Sequence, residues 1–273
     1  MHALFAYGFL QRALAAGALI GVACAVLGIF LILRRDAMIG HGLAHIAFAG
    51  VALGLFLSVL PLVAALAVSV AAAAAVMRLK DRAGLHGDTA IGIFGSLGMA
   101  AGVLLASLSG SFNVELMAYL FGDILAIGPL EVGLTAALAV AVLLAVRLNY
   151  GRLLFMTFDR DSARAAGVRV DRLDALLAVL TAVTVVLGMK VAGLLLVAAL
   201  IVIPAAAGLQ AAGSFRAAVA VSAAVAVLSV AAGLTLSLVL DIPASAAITL
   251  LAFALFAALS LVRRGRGPAR GRG

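Results

Sequence analysis

The sequence has few charged residues and almost no cysteine. Asp, Glu, Lys and Arg make up 11% of its 273 residues, whereas 66% are apolar. Soluble globular chains have roughly a quarter charged and half apolar residues, so water is not the main solvent of this protein. The single cysteine, Cys24, lies in an apolar stretch. It excludes an internal disulfide and a cysteine-cluster metal site, and it predicts a packed core thiol.

Two motifs of enzymes are also missing. The chain contains no G-x-x-x-x-G-K-[ST] phosphate loop, so it does not hydrolyse ATP by that route. It contains no H-E-x-x-H zinc motif, and its four histidines are too few for a membrane oxygenase built from several histidine pairs. We therefore expect a protein that is not itself an enzyme.

Apolar blocks of about twenty residues run through the chain, the length that an α-helix needs to cross ~30 Å of hydrocarbon. They predict an all-α, polytopic membrane protein with eight or nine spanning helices in one bundle. The first block lacks the features of a cleaved secretory signal, so we expect it to be retained; in an eight-span alternative it is partly interfacial. A shorter stretch near 114–127 predicts a re-entrant or external helix. The nine spans are roughly 9–33, 38–60, 62–77, 89–108, 129–146, 174–189, 191–209, 217–240 and 243–262.

The basic residues follow the ends of these blocks. The net charge of +8 could suggest a nucleic-acid partner, but in the nine-span arrangement every Lys and Arg except Arg12 and Lys190 lies on one side. By the positive-inside rule that side is cytoplasmic, so membrane topology and not a nucleic-acid partner explains the positive charge. The sequence thus predicts a bacterial-type inner-membrane protein with a cytoplasmic C-terminus. Residues 1–262 form the membrane domain, with a cytoplasmic loop at about 150–173, and residues 263–273 form a disordered basic tail attracted to lipid.

A pair of histidines carries the strongest chemical signal. His41 and His45 stand at i and i+4 on the second span, so both imidazoles point to one face, about 6 Å apart along the axis. Counting ~1.5 Å per residue from the Arg34, Arg35 and Asp36 anchor places His45 about 15 Å deep. Imidazole suits zinc and similar cations, so the pair predicts a metal site or, alternatively, two histidines hydrogen-bonded between helices.

Three further charged residues lie near the predicted outer side. Glu115 and Asp123 flank the short helix in NVELMAYLFGDIL, where either could complete a metal site or form an external gate. For both, capping or solvation of the short helix is the alternative. Lys190 would repel a bound cation, so an ion-pair or interfacial role is expected for it.

Two further segments are typical of a protein that changes conformation. The loop FDRDSARAAGVRVDRLD contains a short charged helix that stops at a glycine, suited to docking a soluble partner or serving only as a topology-setting loop. Its seven residues are Asp161, Ser162, Ala163, Arg164, Ala165, Ala166 and Gly167. Pro204 lies inside an apolar span and should kink or break it, as a hinge or as a structural kink.

Several of these runs together resemble one family. The segment LRRDAMIGHGLAHIAFAGVALG resembles the second-helix signature of permeases of zinc and manganese ABC importers. MAYLFGDIL resembles the segment after their fourth helix, and MKVAGLLLVAALIVIPAAAG resembles their kinked late helix. With DTAIGI and the AAGV loop, the resemblance runs in order from about Leu33 to Gly208.

The resemblance implies a homodimer that works with two cytoplasmic ATPase subunits, where ATP is bound, and an extracytoplasmic metal-binding protein. The segment from Asp161 to Gly167 would then be the coupling helix that fits an ATPase groove. His45 matches the family's histidine, whereas many members have an aspartate at the position of His41. Imidazole in place of carboxylate favours zinc over manganese, so the expected transported ion is Zn²⁺, with Mn²⁺ or Fe²⁺ as the alternatives. The alternatives are a permease for manganese, iron or a metal chelate, an ion-coupled carrier without an ATPase, and a membrane scaffold.

Overall fold

The computed structural model describes residues 8–83, 87–108, 119–120, 122, 124 and 127–265. Ten α-helices have both ends within these residues, and none of the described residues lies in a strand. Nine of the ten are long and apolar enough to cross a membrane, which confirms the predicted fold class. In chain order the helices are α1 Gly8–Leu33, α2 Ile39–Phe56, α3 Pro61–Ala83, α4 Gly87–Leu108, α5 Pro129–Phe158, α6 Arg160–Ala165, α7 Val170–Ala192, α8 Leu194–Ala211, α9 Phe215–Leu240 and α10 Ala244–Gly265.

The helices form two groups that share α7. In one group α1 packs against α5, α8 and α9, and α10 packs against α8 and α9. In the other group α2 packs against α3 and α4, while α7 contacts α1, α2, α3, α5 and α8. The largest fully buried side chains, among them Phe30, Leu177 and Leu196, lie in α1, α7 and α8, with one, Leu153, in α5. Cys24 is also fully buried in α1, which confirms the predicted core thiol.

Large apolar side chains also cover the outside of the bundle. Leu97 in α4, Leu148 in α5 and Leu250 in α10 each expose more than 60% of their surface. Such a surface is unfavourable in water and suits hydrocarbon, where an α-helix satisfies its own backbone hydrogen bonds. The outer surface therefore agrees with the composition: this is a multi-pass membrane protein.

The turn between α1 and α2 brings the chain back sharply. The Asp36 N–H donates to the Leu31 carbonyl at 2.9 Å and the Arg35 N–H to the Ile32 carbonyl at 3.0 Å, with Arg35 at a φ of 59°. This is the Schellman pattern, in which the left-handed residue is usually glycine. Here an exposed arginine occupies it, and the turn returns the chain into the bundle at Ile39.

Helix α5 is longer than the sequence predicts. Gly128 precedes it in an extended conformation and Pro129 occupies its first turn, where a missing N–H costs nothing. The prediction ended this span at about 146, but α5 continues to Phe158, so its 30 residues are about 45 Å long. That length exceeds the ~30 Å of hydrocarbon, and the last turns project from the same end of the bundle as α6.

The predicted limits of the membrane domain and of the basic tail stay predictions. Helix α10 extends to Gly265, past the predicted end of the membrane domain at 262. The rest of the predicted tail, residues 266–273, lies outside the described residues, as does most of the predicted short helix near 114–127. In that short helix, Ile124 is described and is buried against α1, near Gly17.

Candidate metal pathway and coupling helix

The two histidines of α2 lie side by side. The centroids of the His41 and His45 rings are 4.5 Å apart, with the ring planes inclined at 54°. His41 is exposed and His45 is half-buried. Two nitrogens bound tetrahedrally to one Zn²⁺ at 2.0–2.1 Å lie about 3.3 Å apart, a separation that rings at this distance can reach by small rotations.

The histidine pair lies nearer to the start of α2 than the sequence count indicates. The α1–α2 turn uses the residues from Arg34 to Met38, and α2 begins only at Ile39. Measured from Ile39, His45 is about 9 Å along the helix and His41 is in the first turn. The 15 Å counted from the basic anchor is larger because it included the turn residues as helix, and the depth of the pair in the membrane stays a prediction.

Both imidazoles face an open cleft between α2 and α4. The cleft has a volume of about 150 Å³ and contains one carboxylate, Asp88, and one hydroxyl, Ser96, from α4. Its other lining residues are Met38, Gly42, Ile91, Gly92 and Gly95. The wall of the cleft thus carries two imidazole rings and one carboxylate.

Glycines bring α2 and α4 into close contact on both sides of this cleft. A Cβ atom at Gly42 would lie 2.2 Å from Cγ2 of Ile91, and one at Gly98 would lie 2.9 Å from the Cα atom of Ile46. Neither position accepts a side chain without movement of the facing helix. The small residues therefore fix the distance between α2 and α4, and with it the width of the cleft.

The described part of the chain contains no group of three or more His, Cys, Asp or Glu residues placed to hold one metal ion. The two other acids predicted for the site, Glu115 and Asp123, lie outside the described residues. Between them, Gly122 has a φ of 72°, and a Cβ atom there would lie 2.3 Å from the Gly193 nitrogen. Gly122 therefore packs directly onto the α7–α8 junction.

Lys190 forms an ion pair, as the sequence predicts. Its Nζ lies 3.1 Å from Oε1 of Glu131, at the end of the bundle where α5 begins and α7 ends. Both side chains are partly exposed, 34% for Lys190 and 24% for Glu131. The pair fixes the start of α5 to the end of α7 and neutralises the lysine charge.

Helix α6 occupies the segment predicted for coupling. The Asp159 carboxylate caps its start, accepting from the Ser162 N–H at 2.9 Å, and Gly167 ends the segment with a φ of 80°. Hydrogen bonds from the side chain and the backbone of Ser162 lower the pKa of the Asp159 carboxyl below its usual range. Arg164 and Asp171 form an exposed salt bridge of 2.9 Å between α6 and α7. The helix is where the sequence placed it, and its docking role stays a prediction.

Sequence reasoning missed a cluster of four charged residues at α6, of which all but Arg160 are largely buried. Asp174 of α7 binds Arg34 through Oδ1 and Arg160 of α6 through Oδ2, the latter at 2.7 Å, and Asp36 lies 4.0 Å from Arg34. Asp174 and Asp36 expose only 7% and 6% of their side chains. A usable signal was present, because Asp174 is an acid at the start of an apolar span.

Pro204 lies inside α8, which remains one helix from Leu194 to Ala211. The helix is not broken at the proline, and the predicted kink or hinge stays a prediction. One turn before Pro204, α8 lies very close to α1, since a Cβ atom at Gly28 of α1 would lie 1.9 Å from the Ile201 carbonyl oxygen. A proline cannot donate to the preceding turn, so this is the weakest point of the α8 hydrogen-bond ladder.

Comparison with known proteins agrees along nearly the whole chain. Residues 6–263 match the model of a family described as the ABC 3 transport family. The chain is 31% identical over 254 residues to the manganese transport system membrane protein MntC of Halalkalibacterium halodurans, covering 93% of this chain and 87% of the relative. It is 33% identical to the high-affinity zinc uptake system membrane protein ZnuB of Haemophilus influenzae over 191 residues, covering 70% and 73%.

A solved structure has the same fold. It is described as PsaBC from Streptococcus pneumoniae in complex with Fab. The TM-score is 0.84 at 29% sequence identity, and the match covers 94% of this chain and 93% of the other.

Proposed function

This chain belongs to the ABC 3 transport family, the permeases of metal-ion ABC importers, and on that premise we propose that it carries zinc, or a similar divalent metal, inward across the cytoplasmic membrane. Two copies would form the pathway, two ATPase subunits would bind on the side of α6, and an extracytoplasmic protein would deliver the ion. The end of the bundle that carries α6 and most arginines would then be cytoplasmic, with the C-terminus there.

The adjacent His41 and His45 rings carry the proposal, because they place two borderline nitrogen ligands on the wall of an open cleft. One chain supplies too few ligands for a closed tetrahedral site. A second copy or water would complete the coordination. A site with few ligands suits transport, since the ion must leave it again.

The test is zinc uptake by the permease assembled with its ATPase. Replacing His45 with alanine should lower uptake at least ~10-fold, because the loss of even a residue that supports a metal ligand costs that much. Ser96→Ala is the matched control, since Ser96 lines the same cleft and is not a preferred zinc ligand. If His45→Ala transports zinc as well as Ser96→Ala does, the histidine site is wrong.

Manganese is the second candidate cargo. Its support is the manganese transport relative and the carboxylate of Asp88 in the same cleft, because manganese prefers oxygen ligands. Uptake of each metal by the unaltered complex, supplied with equal concentrations of zinc and manganese, shows which of the two is the cargo. Uptake by this chain alone in liposomes, without ATPase and ATP, would instead indicate an ion-coupled carrier.

A further inference from the structure

The buried charged cluster lies between the short helix α6 and the histidine helix α2. Asp174 uses both carboxylate oxygens, one for Arg34 at the end of α1 and one for Arg160, the first residue of α6. The arginine at α6 is 40% exposed, whereas Arg34 exposes 10% and Asp174 exposes 7% of the side chain. One side of the cluster thus reaches the surface at α6, and the other is enclosed by the bundle.

From Arg34 the contacts continue to the first residue of α2. Asp36 lies 4.0 Å from Arg34, and its backbone carbonyl accepts the Ile39 N–H at 3.1 Å. His41 follows two residues later in the same turn of helix. A displacement of Arg160 therefore reaches the histidine helix through ionic contacts and one backbone hydrogen bond.

Helix α2 separates the charged cluster from the metal cleft. Leu43 and Ile46 of α2 line a small cavity of about 50 Å³ together with all four charged residues of the cluster. His41 and His45 of α2 line the cleft instead, and Ile91 of α4 lines both spaces. A shift of α2 driven from the charged side must therefore move the two imidazoles on the other side.

A second ion pair joins α6 to α7 but lies in solvent. Arg164 and Asp171 are 55% and 72% exposed, and neither lines the charged cavity. Solvent and salt weaken such a pair, whereas the buried cluster is screened much less. The two pairs connect the same helices and differ in burial and in access to α2.

We infer that Asp174 is a positioning residue for transport, which transmits movement of α6 to the α1–α2 turn and so to His41 and His45. The inference rests on the proposed function. ATP-driven movement of the partner subunit would displace α6, and Asp174 would pull Arg34 and the start of α2 with it. Asp171, outside the cluster, would have no such effect.

The test compares Asp174→Asn with Asp171→Asn in the permease assembled with its ATPase and placed in liposomes. Each variant removes one carboxylate from the α6–α7 junction, so the pair is matched. We measure zinc uptake, ATP hydrolysis and retention of the ATPase. For Asp174→Asn, zinc transported per ATP should fall about 10-fold, within the range of measured coupling between sites, while the ATPase stays bound and active. Asp171→Asn should keep the ratio of the unaltered complex.

A second variant guards against simple misfolding. Asp174→Asn leaves the cluster with an excess positive charge, whereas Asp174→Asn combined with Arg160→Gln restores neutrality and still disconnects α6. Asp174→Glu keeps the charge and should recover most of the ratio. If the assembled double variant transports as much zinc per ATP as Asp171→Asn, or if uptake and hydrolysis fall in proportion, Asp174 is not a positioning residue. If the unaltered complex takes up no metal, the proposed function itself fails.

Discussion

The contact between Gly42 and Ile91 gives the most direct test of how the cleft between α2 and α4 is built. A Cβ atom at Gly42 would lie 2.2 Å from Cγ2 of Ile91 and 3.1 Å from the Ile91 carbonyl oxygen. Carbon atoms prefer about 3.5–4.0 Å, so Gly42→Ala requires a shift of more than 1 Å. Rotation of Ile91 offers little relief, because a β-branched side chain in a helix has one strongly preferred χ1.

Two effects of opposite sign decide the stability of Gly42→Ala. Alanine favours helix over glycine by ~1 kcal/mol, and overpacking costs ~1–3 kcal/mol. The variant Gly92→Ala separates these two effects. Gly92 follows Ile91, and a Cβ atom there would meet nothing within 4 Å. Gly92→Ala should therefore gain the helix term alone, and Gly42→Ala should be the less stable of the two by ~1–3 kcal/mol.

Thermal unfolding of the two variants, each assembled with its ATPase, measures this difference. For a chain of this size 1 kcal/mol shifts Tm by ~2–4 °C, so Gly42→Ala should melt ~2–12 °C below Gly92→Ala. Adding Ile91→Ala to Gly42→Ala should recover part of the loss, because it removes Cγ2 but leaves the carbonyl. Equal melting temperatures for Gly42→Ala and Gly92→Ala would refute the close contact of α2 and α4.

Two other predictions concern single contacts. A double-mutant cycle with Lys190→Met and Glu131→Gln, measured by unfolding, gives the interaction free energy between the two side chains. We expect up to ~1 kcal/mol, because both partners are partly exposed. An interaction free energy of zero would contradict the ion pair. His41→Asp should shift the ratio of manganese to zinc uptake in favour of manganese, because a carboxylate replaces a nitrogen ligand; an unchanged ratio in a two-metal uptake assay would exclude His41 from the pathway.

The spans were predictable because lipid leaves the backbone few choices. A block of about twenty apolar residues can satisfy its N–H and C=O groups in hydrocarbon only as a helix or in a closed barrel, so composition alone gave the helices. The end of α5 was not predictable in this way. Arg147 and Arg152 mark where the apolar block stops, but a helix outside the lipid needs no apolar face and continues to Phe158.

The site was predictable only where its residues are neighbours in sequence. His41 and His45 share a face because of the helix repeat, and that held. The Arg34–Asp174 contact joins residues 140 positions apart, so it depends on how α1 and α7 pack. Removing one partner of such a buried pair costs ~3–5 kcal/mol, which gives the cluster a large effect on stability without any local sequence pattern.

The arrangement of α2 explains why a small movement could release an ion. A helix with its side chains is ~10–12 Å across, so an imidazole lies about 5–6 Å from the axis. A rotation of roughly 20° then moves each ring by about 2 Å, as much as the whole length of a 2.0–2.1 Å zinc–nitrogen bond. Because His41 and His45 are on the same helix, they would move together, away from any ligand that another helix or a second copy contributes. An ion held between α2 and such a ligand would be bound in one position of α2 and released in another, with the charged cluster on the opposite face as the point where the movement is applied.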